Sequence, residues 1–187
     1  QNPYVPVISI ISRLVPQKGL DLIGEVIDEL MQEDLQFVLL GTGNSEYEEM
    51  FKAAADKYPN KLAANIEYDV DLAQKIYASS DMFLMPSQFE PCGLGQLFSL
   101  RYGTIPVVRE TGGLNDTVDS YNEYTGEGNG FSFTDYNAED MLYTIRRAIH
   151  YYKNEPETWE KLVKRAIESD YSWYNSAQEY IQLYKKV

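Results

Sequence analysis

Val5-Pro6-Val7-Ile8-Ser9-Ile10-Ile11, followed beyond a loop by the segment Leu20 to Gln32 and then by Phe37-Val38-Leu39-Leu40, decides the fold. The first run is short, apolar and rich in β-branched residues, so it predicts a strand covered on both faces. In the second, Ile23, Val26, Ile27 and Leu30 recur at helical spacing and share one face. The third run predicts another buried strand, stopped by Gly41-Thr42-Gly43. A strand, an amphipathic helix and a second buried strand make one βαβ unit.

The same alternation continues outward from that unit. A helix with Tyr47, Met50, Phe51 and Ala54 on one side precedes a weaker strand at Leu62 to Ile66. A short helix, Leu72 to Ser79, leads to a strand at Met82 to Met85, cut by Pro86. Leu94 to Tyr102 predicts a helix, Ile105 to Val108 a strand and Phe131 to Phe133 a last short strand. Asn137 then caps a helix with Met141, Leu142, Ile145, Ala148 and Ile149 inward. From Glu157 the tail is helical, with Trp159, Leu162 and Ile167, then Tyr180, Ile181 and Tyr184. Asp119 to Gly130, rich in Gly, Asn and Glu, reads as a mobile surface loop. The fold class predicted is α/β: a doubly wound, mainly parallel sheet with helices on both faces, one domain over residues 1–187. Such folds bind ligands at the carboxyl ends of the strands.

Composition narrows the function. Of the 187 residues, 44% are apolar and 24% charged, ordinary for a globular domain. The formal net charge of −13 is the wrong sign for a general nucleic-acid binder, so nucleic acid is not an expected partner. No apolar run is long enough to span a bilayer, and Gln1 to Pro6 lacks the basic-then-apolar pattern of a leader, so no membrane partner is expected either. The lone cysteine, Cys92, permits no internal disulfide, which fits a reducing compartment.

Three loops carry candidate chemistry. Ser12-Arg13-Leu14-Val15-Pro16-Gln17-Lys18-Gly19 follows the first strand, and a guanidinium with an ammonium there suits a diphosphate, although two solvated surface cations are the commoner outcome. Pro86-Ser87-Gln88-Phe89-Glu90-Pro91-Cys92-Gly93-Leu94-Gly95-Gln96 runs from a strand into a helix. The N–H groups of Gly93, Leu94 and Gly95 at that helix start make an anion site, and Glu90 stands where sugar hydroxyls can bond it. The competing reading is an ordinary turn around a buried, inert Cys92. In the third loop, Arg109-Glu110-Thr111-Gly112-Gly113-Leu114, the glycines either cradle phosphate or merely turn the chain.

Taken together, Arg13 with Lys18-Gly19-Leu20-Asp21, Phe89-Glu90-Pro91-Cys92-Gly93-Leu94, Tyr102-Gly103-Thr104 and Arg109-x-Thr111-Gly112-Gly113-Leu114 resemble bacterial glycogen synthases and plant starch synthases, glycosyltransferase family five. The resemblance runs to Tyr171-Ser172-Trp173, before the last helix. It implies the C-terminal, Rossmann-like lobe of a two-lobed GT-B enzyme that binds ADP-glucose or ADP and extends an α-1,4-glucan with retention, in the cytoplasm or, in a plant, the plastid. Arg13 and Lys18 would hold the donor diphosphate and Glu90 the donor sugar. The amides of Cys92, Gly93, Leu94 and Gly95, with Thr111 and Gly112, would serve glucose and phosphate, and Tyr68 would pack on the base. No cofactor and no metal is implied. Relatives often carry threonine or asparagine where this chain has Gly95.

Other patterns fall outside this set. Asp69-Val70-Asp71 matches a metal-binding Asp-x-Asp, but it precedes a helix, so Asp71 reads as an N-cap or first-turn acid. Asn115-Asp116-Thr117 is a sequon by pattern, and His150 belongs to a helix C-terminus. The N-terminal lobe of the family carries Lys-x-Gly-Gly-Leu and the glucan-binding residues. Here the Gly-Gly-Leu at Gly112 to Leu114 has Glu110, not lysine, two places before it. The expectation is a chain without the acceptor lobe, inactive alone, whose last helix, Ser176 to Lys186, would cross back to that lobe. A stand-alone nucleotide-binding regulatory module, or a lobe of another GT-B enzyme such as a sugar-nucleotide epimerase, are the alternatives.

Overall fold

The computed structural model describes residues 4–186; the first residues of the stretch Gln1 to Pro6, read above for a leader, lie outside it. Six strands form one parallel sheet in the order β3-β2-β1-β4-β5-β6. They are β1 (Val7–Ile11), β2 (Gln36–Leu40), β3 (Leu62–Asn65), β4 (Met82–Met85), β5 (Ile105–Arg109) and β6 (Phe131–Phe133). The helices are α1 (Leu20–Leu30), α2 (Ser45–Lys57), α3 (Val70–Ser79), α4 (Gly95–Tyr102), α5 (Gly113–Thr117), α6 (Ala138–Asn154), α7 (Pro156–Glu168) and α8 (Trp173–Tyr184).

The central strands are apolar because helices cover both of their faces. Ile8, Phe37, Met82, Ile105 and Val107 are fully buried. On one face α1 packs against α2 and α6; on the other α3, α4 and α5 pack in sequence against β1, β4 and β5, with α7 against α4 and β5. The predicted apolar stripe of α1 is present, with Ile23, Val26 and Leu30 buried. Asn137 caps α6 as expected, its Oδ1 accepting from Glu139 N at 2.8 Å and Asp140 N at 3.1 Å.

Several expectations change. In α7 the inward position after Leu162 is taken by Ala166, while Ile167 is exposed. Of the two readings of Asp71 the first-turn acid holds, because Asp69 caps α3 by accepting from Leu72 N at 2.9 Å. The last helix starts at Trp173, because the Ser172 hydroxyl caps it by accepting from Asn175 N. Residues Asp119 to Gly130 are not a loose loop. Tyr121 N donates to Gly130 O at 2.8 Å, Asp119 N donates to Asn129 Oδ1 at 2.8 Å, and the Arg147 guanidinium donates to Tyr121 O. The Tyr121 ring is buried against Phe131 and Tyr151.

Candidate functional site

The strand order reverses direction between β1 and β4, and a doubly wound sheet opens a ligand crevice at such a point. The two loops that leave these strands are tied together there. Gln88 N donates to Gln17 O at 2.9 Å, and Gln17 Nε2 donates to Phe89 O at 2.9 Å. Gly19 makes the approach possible: its φ is 70°, and a Cβ on it would lie 2.0 Å from Pro86 O. From behind, Arg109 Nη1 donates to Gln88 O at 2.8 Å. Gly113 N donates to the Glu90 and Pro91 carbonyls, both at 3.1 Å. The Gln96 amide closes the turn by donating to Cys92 O at 3.0 Å and Gly93 O at 3.1 Å.

These ties shape a cavity of about 180 Å³ lined by Arg13, Lys18, Tyr77, Ser87, Glu90 and the start of α4 at Gly93, Leu94 and Gly95. Lys18 Nζ meets Glu90 Oε2 at 2.5 Å, and the Ser87 hydroxyl donates to the same oxygen at 3.2 Å. Their side chains are only 16% and 11% exposed, so this ion pair is largely out of water. Arg13 is exposed at the rim, and its guanidinium makes no hydrogen bond or ion pair among the described residues. At the beginning of α4 the first N–H groups have no carbonyl one turn earlier to bond, so the wall carries partial positive charge. A cation, a lysine–glutamate pair and unsatisfied amides thus face one space, suited to a phosphorylated, hydroxyl-bearing ligand.

A second cavity, about 310 Å³ and mainly apolar, shares Ile11, Ser12, Arg13 and Tyr77 with the first. Tyr68, Val70, Ala73 and Phe98 complete its outer side. Tyr68 is 85% exposed, leaving its ring free to cover a flat ligand.

Arg13, Lys18, Glu90, Gly93, Leu94 and Gly95 therefore come together, and Tyr68 lies next door. Thr111 and Gly112 are not on the wall of either cavity. A Cβ at Gly112 would lie 2.2 Å from Glu90 O, and one at Gly113 2.1 Å from Cys92 O. These glycines let β5 and α5 back the Glu90 loop. The Cys92 side chain, expected to be buried if inert, is exposed. At Gly95 a Cβ would stand 2.8 Å from Phe83 Cε1, so a larger residue here requires the ring beneath it to shift. His150 sits on the surface of α6, its Nδ1 3.1 Å from Asn154 Nδ2. Sequence reasoning passed over Tyr77, Ser87 and Gln17. Only the place of Ser87, three residues before Glu90, was a usable signal.

The six-stranded parallel sheet with its helices is a GT-B-like α/β fold that matches glycosyltransferase structures. The profile of the family "Glycosyl transferases group 1" matches residues 2–169, and the chain belongs to that family. Within it, the chain is 62% identical over 187 residues to a glycogen synthase of Clostridium novyi, and 56% identical over 186 residues to one of Desulforamulus reducens. It spans all of its own length in both but only 39% and 38% of theirs, and it corresponds to their C-terminal part. Among solved structures, the catalytic domain of starch synthase IV from Arabidopsis thaliana, bound to ADP and acarbose, superposes with a TM-score of 0.88 at 38% identity, over 98% of this chain and 38% of that one. Sucrose-phosphate synthase from Thermosynechococcus elongatus shares the fold, with a TM-score of 0.72 at 18% identity over 100% of this chain and 46% of that one. Family membership sets aside the epimerase reading.

Proposed function

We propose that this chain is the donor-binding half of a retaining glycogen synthase, transferring glucose from ADP-glucose to the non-reducing end of an α-1,4-glucan. The observation that carries the reading is the convergence of Arg13, Lys18, Glu90 and the start of α4 on one cavity, beside an apolar one edged by Tyr68. The diphosphate lies against Arg13, Lys18 and the α4 amides, the adenine under Tyr68, and the glucose toward Glu90. Cleavage of the bond between the sugar and the diphosphate leaves negative charge on the departing nucleotide. Fixed cations and amides in a partly dry pocket stabilise that charge, and one such donor is worth roughly 2.7–4 kcal/mol. Glu90 Oε2 is taken by Lys18 and Ser87, which leaves Oε1 to accept from glucose hydroxyls.

The acceptor glucan binds across a cleft, on a lobe outside the C-terminal part of the relatives to which these residues correspond, so residues 1–187 bind donor and transfer needs the whole enzyme. The exposed Ile181 and Leu183 of α8 support a docking role for that helix in the whole enzyme. Among the described residues no helix is long and apolar enough to cross a membrane. We place the reaction in the cytoplasm, or the plastid of a plant. The test is calorimetric titration of the folded chain with ADP and ADP-glucose. Saturable binding of both in the micromolar to millimolar range, as roughly −4 to −8 kcal/mol implies, is expected; no heat from either at millimolar concentration removes the reading.

A further inference from the structure

Tyr77 belongs to α3, yet it lines both cavities and stands where they join. The residue is 5% exposed. Its ring is held by Phe83 at 4.9 Å, Phe98 at 5.9 Å and Tyr102 at 6.4 Å between centroids. That packing accounts for the ring but not for the hydroxyl, which makes no hydrogen bond among the described residues. Nor is the oxygen sealed in the core: the sealed, unpartnered side-chain polar atoms are Gln96 Oε1 and Arg109 Nε. The hydroxyl therefore opens onto the cavities. It lies 3.3 Å from the position a Cβ would take on Gly95, beside the first residue of α4. A hydroxyl that faces an open cavity and has no protein partner keeps its donor available for a ligand. Burial pushes the phenol up to about 12, so it carries its proton at any working pH and can only donate to an anion or ether oxygen.

The geometry points to Tyr77 as a further donor-binding residue, whose hydroxyl donates to an oxygen of the unit joining the nucleoside's ribose to its first phosphate. This rests on the donor-site reading, which puts the diphosphate in one cavity and the base in the other. The joining unit must then pass the wall they share. Tyr77 thereby measures the distance between base and phosphate and selects intact nucleotides over free phosphates.

Calorimetry on the wild-type chain and Tyr77→Phe, with ADP and with inorganic pyrophosphate, tests this. Phenylalanine keeps all three ring contacts, and matched thermal melts confirm folding. The variant is expected to lose about tenfold in ADP affinity, the order of one hydrogen bond to a charged acceptor, and to bind pyrophosphate as the wild type does. Equal ADP affinity in the two proteins overturns the role of Tyr77 and leaves the donor site standing. Equal losses for both ligands reduce Tyr77 to a packing residue and overturn it as well. If the wild-type chain itself binds no ADP, the donor-site reading falls first and takes this assignment with it.

Discussion

Lys18 and Glu90 illustrate what single residues settle in this molecule. Each side chain is mostly removed from water, and each is the other's nearest opposite charge, at 2.5 Å. Removing one member of such a pair leaves a desolvated charge behind, which costs more than the pair contributes. Lys18→Met should therefore lower the unfolding free energy by about 3 kcal/mol in a denaturant titration. Adding Glu90→Gln to it should recover most of that loss, because no charge remains stranded. ADP binding should be lost in both variants, since the ammonium is gone from both. A double variant as unstable as the single one would show that the pair is not coupled. Arg13 and Lys18 were readable as candidates because they follow a strand of an α/β sheet, but the loop alone did not separate a diphosphate clamp from two solvated surface cations. Their division of labour was not. That Lys18 is tied to Glu90 while Arg13 is free follows from the Gln17–Gln88 contact, a tertiary fact with no local pattern. Tyr77 was equally illegible, because an aromatic residue on a helix reads as core until the cavities around it are known.

Elements differ in how far the sequence announced them. Strands β1, β2, β4 and β5 were plain because burial on both faces leaves an apolar run that nothing else explains. Helix α5 was missed: it has only five residues, and it exists because Gly112 and Gly113 fit against the Glu90 and Cys92 carbonyls. The segment Asp119 to Gly130 has the composition of a mobile loop, but its order comes from Asn129, from Tyr121 and from Arg147 on α6. Helix α8 is the opposite case, readable as a helix and yet unsupported. None of its residues is buried, and Trp173 is 90% exposed. Its tie to the rest is local, through the Ser172 cap and the bond from Tyr171 to Thr117 O at 2.6 Å. A chain ending after Ser172 should thus melt within about 2 °C of the 187-residue chain, since a lost kilocalorie shifts a domain of this size by roughly 2–4 °C. Amide exchange along α8 should show almost no protection. A fall of more than about 5 °C in the melt would mean that α8 packs on the lobe in solution.

At the scale of the whole molecule, a formal charge of −13 surrounds the site proposed for an anion. Many cations are spent elsewhere: Lys57 on Asp28, Arg146 on Glu33 and Lys153 on Asp34, each at 2.7 Å. In the cavity Glu90 offsets Lys18, which leaves Arg13 and the helix start as the uncompensated positive charge. The two fields act over different distances. Repulsion by the distributed acids reaches an incoming nucleotide far from the surface, where salt screens it: the screening length falls from about 30 Å at 0.01 M to about 8 Å at 0.15 M. Attraction by Arg13 and the amides acts at contact, in a partly dry pocket where salt has little effect. Raising salt over that range should therefore speed the association of a fluorescent ADP analogue several-fold in stopped-flow mixing, while its dissociation rate changes little. This is the reverse of ordinary electrostatic steering, in which salt slows an anion's approach to its site. Arg13→Ala should keep the rise in association rate but release the nucleotide faster. An association rate that falls with salt would instead show that the pocket's own field outweighs the acidic surface well before contact.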